Sequence, residues 1–139
     1  MSNQLSQDEV YELSKSFHDL SVTLGNFRYD NWNNLTPVQR IDLEAKQWTL
    51  FNTSSDLNAQ SVILKIKLLD SDIQILKSCT DAMIESADKI NSVKQAIAIA
   101  TKAVAFGGSL YIAASTGNIS AMIDAAQNLY DEINKDYKI

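Results

Sequence analysis

Few residues of this chain have side chains suited to catalysis or metal binding, and they are far apart. His18 is the only histidine and Cys79 the only cysteine among 139 residues. A general base must act within hydrogen-bond reach of its substrate, and a zinc tetrad needs several Cys or His ligands. The sequence therefore predicts no metal and no cofactor, with His18 at a helix surface and Cys79 as a buried thiol.

Two further features resemble sites but lack the rest of a motif. Asp81, Glu85 and Asp88 fall at helical spacing, which could attract a cationic partner but is more typical of a solvated helix face. Gly107-Gly108 has neither the lysine nor the preceding strand of a phosphate-binding loop. We therefore predict that the protein is not an enzyme.

Composition excludes further classes of function. The formal net charge is −5 and the twelve Lys and Arg residues are scattered, so no basic stripe is present to bind nucleic acid. Hydrophobic residues make up 45% and charged residues 21%, which is typical of one globular domain covering 1–139. Residues 1–9 are polar and show no secretory signal, so we expect a protein that is cytoplasmic as synthesised, with non-classical export left open.

Hydrophobic spacing predicts an all-α fold. The stretch 37–106 contains no internal glycine and no second proline. Its apolar residues step by three and four, which places them along one helix seam that must pair with another helix of the chain or with a second subunit. We expect an antiparallel bundle of four to five helices with one long central helix and coiled-coil-like packing. The seam consists of Val38, Ile41, Ala45 and Trp48, followed by Val62, Ile66, Leu69, Ile73, Leu76, Met83, Ala87 and Ile90.

Capping signals divide the chain into helices. Ser6 and Glu9 match a capping box, and Thr36-Pro37 is a typical helix start. The polar residues 52–55 interrupt the seam and indicate a kink or a turn. The predicted helices are approximately 7–30, 37–51, 56–91, 93–115 and 119–134.

The segment 96–114 is apolar on nearly all sides, and Lys102 carries its only charge. It is either enclosed by other helices or able to enter a membrane, because nineteen helical residues span about 28 Å. Small residues four apart form a ridge that would allow a close helix approach. We expect one helix through Phe106, Gly107 and Gly108, with a tight hairpin as the alternative. The ridge consists of Thr101, Ala105, Ser109 and Ala113.

The loop after the first helix is the most site-like part of the sequence. Phe27, Arg28, Tyr29 and Trp32 stand there among asparagines. Exposed aromatic residues beside an arginine are typical of residues that anchor a protein partner. Alternatively, the rings cover one end of the bundle, which is the more common arrangement beside a helix end.

Two functional hypotheses follow. The first is a non-catalytic helical bundle that binds a protein partner or itself through exposed helix faces and the aromatic loop. The second is a conditional membrane-inserting protein of the pore-forming or lytic type, which would expose the segment 96–114 to a membrane under a trigger, by analogy of architecture with lytic helical proteins. A toxin or immunity-type role would be compatible with this hypothesis.

Overall fold

The computed structural model describes residues 2–59 and 65–135, and five α-helices account for most of them. The all-α prediction is confirmed. Short 3₁₀ helices occur in connections of the described chain at Trp32–Asn34 and Ser86–Asp88, and the two-residue strands β1 (Ser2–Asn3) and β2 (Leu68–Leu69) pair antiparallel. The helices are α1 (Gln7–Asp30), α2 (Pro37–Ala59), α3 (Asp70–Ile84), α4 (Val93–Thr116) and α5 (Ile119–Asn134).

Reciprocal caps start the first two helices at the predicted positions, and the one at Ser6 and Glu9 is the predicted capping box. The Glu9 N–H donates to Ser6 Oγ over 3.1 Å, and the Ser6 N–H donates to Glu9 Oε1 over 2.8 Å. Thr36 and Gln39 repeat this arrangement at the start of α2 over 2.9 and 3.1 Å. Each box satisfies backbone donors that have no partner inside the helix.

Helices α1 and α2 form an antiparallel hairpin. Ser14 Oγ donates to the Ser54 carbonyl over 2.8 Å towards one end, and Arg28 contacts Glu44 towards the other. Helix α1 also packs against α3, α2 against α4, and α5 against both α3 and α4. The helices therefore surround a common core, in which the rings of Phe17 and Phe106 stack 5.6 Å apart.

The prediction that the second helix ends near Phe51 is wrong, because α2 continues to Ala59. The hydroxyl groups that suggested a break have partners compatible with a helix. Thr53 Oγ1 donates to the Thr49 carbonyl over 2.9 Å, and the Ser54 hydroxyl lies within hydrogen-bond distance, 3.2 Å, of the Ser14 hydroxyl of α1. Both residues are buried, so these polar groups belong to the packed side of α2.

The single long helix predicted for 56–91 is also wrong. Leu68 and Leu69 are extended and pair with β1, and α3 begins only at Asp70. Helix α3 ends at Ile84, where the buried Ser86 hydroxyl donates to the Met83 carbonyl over 2.7 Å and so occupies an acceptor at the end of the helix. Ser92 then caps α4 through the Gln95 N–H, close to the predicted start.

The predicted seam divides into buried and exposed parts. In α3, Leu76 and Met83 are buried, and the polar position Thr80 donates to the Leu76 carbonyl over 2.8 Å. Leu69 is 53% exposed, and Val62 lies outside the described residues. In α2, four seam residues face solvent, so none of the helices that the structure describes covers them. These are Val38, Ile41, Ala45 and Trp48.

Helix α4 passes straight through the glycine pair, so the hairpin alternative is wrong. A Cβ atom on Gly107 would lie 3.2 Å from Thr53 and 3.4 Å from Phe17, whereas one on Gly108 would meet open space. The close approach of helices therefore occurs at Gly107. The predicted ridge is split, because Ser109 and Ala113 are buried whereas Thr101 and Ala105 are exposed.

Helices α4 and α5 join through a tight turn in which Gly117 adopts a left-handed φ of 77°. Such a conformation is readily accessible only to glycine. Lys102 Nζ lies 3.7 Å from Glu132 Oε1 of α5, which is 8% exposed. The charge in the apolar segment thus lies beside a carboxylate of the neighbouring helix.

Candidate interaction surface

The residues that might have formed a reaction centre are separated. His18 is exposed, with Nδ1 3.5 Å from Asp19 Oδ1, and Cys79 is fully buried. Burial raises the pKa of the Cys79 thiol to about 12, so little reactive thiolate forms near neutral pH. In residues 2–59 and 65–135, no group of three or more His, Cys, Asp or Glu is placed to hold a metal ion.

The predicted acidic stripe lies at the surface. Asp81, Glu85 and Asp88 are all exposed. Glu85 follows the last residue of α3, and Asp88 lies in the second 3₁₀ helix, so the three do not share one regular helix. This arrangement matches the solvated face that the sequence favours.

An apolar surface runs along α2 on the side away from the core. Val38 is 76%, Ile41 71% and Trp48 58% exposed, although most of the large apolar residues are at least partly buried. Phe51 extends the surface, with its ring 5.8 Å from that of Trp48 and nearly perpendicular to it. We call Val38, Ile41, Ala45, Trp48 and Phe51 the outer face of α2.

The opposite side of α2 carries the core. Leu43 and Leu50 are completely buried, and Leu57 is 3% exposed. Because these leucines are seven residues apart, they lie on one line along the helix. Helix α2 thus has two apolar sides, and within residues 2–59 and 65–135 only one of them is covered.

The aromatic loop lies next to the outer face of α2. Arg40 donates from Nε and Nη2 to the Trp32 carbonyl over 2.9 and 2.6 Å, and its guanidinium carbon lies 4.3 Å from the centre of the Trp32 ring. The guanidinium carbon of Arg28 lies 5.2 Å from the same centre. These cation–π contacts hold the indole in place, while 43% of Trp32 stays exposed.

The four predicted loop residues have different surroundings. Arg28 and Trp32 are brought together, and Tyr29 is 80% exposed. Phe27 packs against the core, as the alternative interpretation of the loop predicts. Arg28 also joins α1 to α2, because Nη2 lies 2.5 Å from Glu44 Oε2 and Nε donates to the Arg40 carbonyl over 3.1 Å.

Two carboxylates beside the outer face of α2 are neutralised by neighbouring cations. Glu44 is paired with Arg28, and Asp42 Oδ1 lies 2.5 Å from Lys46 Nζ. A partner would therefore meet an apolar strip with little net charge along its sides.

Helix α4, the predicted membrane or close-packing segment, is enclosed only in part. Among the described helices, only α4 is long and apolar enough to cross a membrane, judged by length and composition alone. Its most apolar 18 residues have a mean hydropathy of 1.5, and 44% of them are buried. Helices α1, α2 and α5 pack against it. Its outward side includes Thr101, Ala105, Gly108 and Ile112.

Sequence reasoning did not identify Arg40 or Phe51 as part of this surface. A signal for Phe51 exists, since it follows Trp48 by three residues and lies on the same side of a helix. No comparable signal marks Arg40, whose contact with Trp32 depends on how the chain turns between α1 and α2.

Comparison with known proteins gives no relative. No family model, curated protein or solved structure matches this chain.

Proposed function

We propose that this protein is a non-catalytic helical bundle that binds a protein partner, or a second copy of itself, through the outer face of α2 and the adjoining Trp32 loop. The observation that carries this proposal is the exposure of Val38, Ile41 and Trp48 on the side of α2 opposite its buried leucines. A helix that only covers the core of its own domain needs one apolar side. A second apolar side indicates that another molecule covers it.

The size and composition of the surface support the proposal. Since a large aromatic side chain can bury about 150–250 Å², the exposed 58% of Trp48 alone corresponds to roughly 100–150 Å². Contiguous apolar patches of more than a few hundred Å² typically mark interaction sites. Tryptophan and arginine are also enriched among the residues that contribute most to binding.

A pair of double variants tests this function. Ile41→Glu with Trp48→Glu places two charges on the outer face of α2, while Thr101→Glu with Ala105→Glu places two on the exposed side of α4. Tagged proteins are isolated from cells of the source organism after chemical cross-linking, and their fold is checked by circular dichroism. We expect the α2 variant to lose a discrete complex that the wild-type protein and the α4 variant retain. Equal retention by all three would contradict the proposal.

A membrane function is the second candidate, and the length and apolar character of α4 support it. In this alternative, the bundle would release α4 under a trigger so that its apolar side chains enter the bilayer. Dye release from liposomes of neutral and anionic composition, measured at several pH values, tests this candidate. Absence of both binding and release under all conditions would remove it.

A further inference from the structure

A small apolar groove lies between α1 and α3, away from the outer face of α2. The two helices run in the same direction, because Asn3 bonds Asp70 at one end and Ser16 Oγ lies 3.5 Å from Met83 Sδ further along. The groove encloses about 200 Å³. This volume is below the roughly 300–1,000 Å³ of typical small-molecule sites, but it can accept one or two large side chains.

The floor of the groove is hydrocarbon. Leu5 and Leu13 line it from the N-terminal part of the chain, and Ile73 and Leu76 line it from α3. Leu5, Leu13 and Leu76 are buried, while Ile73 is half-buried at the opening. An inserted apolar side chain would therefore contact carbon atoms from both helices and leave water.

The rim of the groove is acidic. Asp8, Glu9, Glu12 and Asp81 line it together with one lysine, Lys77, which gives these lining residues a net charge of −3. Glu9 serves the cap of α1. In the described part of the chain, the other three carboxylates form no hydrogen bond or salt bridge, unlike the paired acids beside the outer face of α2.

We propose that this groove binds a basic amphipathic peptide segment of a partner protein. One or two of its large apolar side chains would insert between α1 and α3, while flanking lysine or arginine side chains would pair with Asp8, Glu12 and Asp81. An apolar floor supplies affinity, and the net negative rim selects cationic partners and raises their rate of association. The site is separate from the outer face of α2 and does not depend on the function proposed for that face.

The charge of the groove argues against other occupants. Phosphate groups of nucleic acids or anionic lipids would be repelled by the rim. A second copy of this chain also carries a net charge of −5, so it provides poor charge complementarity. A cationic segment removes the repulsion among the rim carboxylates when it binds.

The test uses the full chain and a fluorescent peptide of about twelve residues with leucines four apart and lysines elsewhere. Fluorescence anisotropy measures binding, and NMR shifts locate it. Two control peptides replace either the lysines with glutamate or the leucines with serine. We expect the leucine–lysine peptide to bind with shifts at Leu13, Ile73 and Leu76, and the control peptides not to bind. Affinity should fall as salt is raised, because exposed charge pairs are screened.

Two triple variants distinguish an effect of the rim carboxylates on binding from an effect of the protein's overall net charge. Asp8→Asn with Glu12→Gln and Asp81→Asn should weaken binding by about tenfold, which corresponds to three exposed charge pairs. The control variant neutralises three exposed carboxylates elsewhere, Asp30, Asp124 and Asp131, as asparagine and should bind like wild type. Equal weakening by both variants, binding of the serine peptide with unchanged affinity, or shifts confined to other surfaces would overturn the proposal. The proposal would also be overturned if the same NMR shifts at the groove appeared when the protein concentration was raised without peptide. A second copy of the chain would then occupy the groove.

Discussion

Ile41 and Leu43 lie two residues apart on α2, yet Leu43 is completely buried while Ile41 is 71% exposed. Two residues correspond to about 200° around a helix, so the side chains point in nearly opposite directions. Both sides of this helix are apolar, and the bundle covers only one of them. The proposed function depends on this relationship.

The two sides of α2 should respond differently to truncation. Leu43→Ala should lower the free energy of unfolding by about 2–5 kcal/mol, because it removes buried contacts and leaves a cavity. Ile41→Ala should change it by at most about 0.5 kcal/mol, because the side chain is largely in water. Urea unfolding of both variants measures the difference, and similar losses would show that the outer face is covered in solution.

The sequence predicts the fold class and most helix starts because these depend on local signals. The caps at Ser6 and Thr36 and the left-handed turn at Gly117 are each determined by neighbouring residues. The end of α2 was predicted wrongly because Ser54 bonds Ser14 of α1 and Thr53 packs against Gly107 of α4, which a local pattern cannot show.

Periodicity alone could not show which side of α2 is buried against the other helices. Leu43, Leu50 and Leu57 repeat every seven residues, as do Val38 and Ala45 on the other side. Both patterns are compatible with a buried helix face, and only packing against α1 and α4 distinguishes them. The groove between α1 and α3 also depends on the relative position of distant segments.

The glycine pair in α4 should show opposite effects of the same substitution. Gly107→Leu should lower the free energy of unfolding by about 1–3 kcal/mol, because the added side chain would collide with Thr53 and Phe17. Gly108→Leu should raise it by about 0.5–1 kcal/mol, since leucine favours a helix and the space is open. Thermal and urea unfolding test both values. A loss of stability at Gly108 would contradict the described position of α4.

Tyr111 should contribute to stability in a pH-dependent way. The pKa of Tyr111 is raised from 10 to about 12. Partial burial is the larger cause, and the 2.5 Å hydrogen bond that the Tyr111 hydroxyl donates to Asp56 is the next. The folded protein therefore retains the phenol proton more strongly than the unfolded chain does. This contribution is present below pH 10 and is lost as the pH rises towards 12.

Tyr111→Phe isolates that contribution. The variant should lose about 0.5–1.5 kcal/mol at neutral pH, because a hydrogen bond is removed. Its stability should also fall less steeply than that of wild type between about pH 10 and pH 12. Urea unfolding across this range provides the measurement, and parallel pH profiles for the two proteins would contradict the raised pKa.

The aromatic loop should contribute to partner binding. Arg28→Ala with Trp32→Ala removes the cation–π contacts and the bond to Glu44, so the free energy of unfolding should fall by about 1–3 kcal/mol while the protein stays folded. The complex should weaken by tenfold or more in a pull-down titration. Lys15→Ala, which removes another ion-paired cation of α1 away from the outer face of α2, serves as the control. Full binding by a folded double variant would exclude the loop from the interface.

Site-specific photo-cross-linking from the outer face of α2 tests the central claim most directly. A photoreactive amino acid replaces Trp48, and in a control protein it replaces the exposed Asp124 of α5. After illumination in cells of the source organism, we expect a discrete product from position 48 that is absent from position 124. Purified protein alone shows whether the product contains a second copy. No discrete product from position 48, or the same products from both positions, would contradict the account.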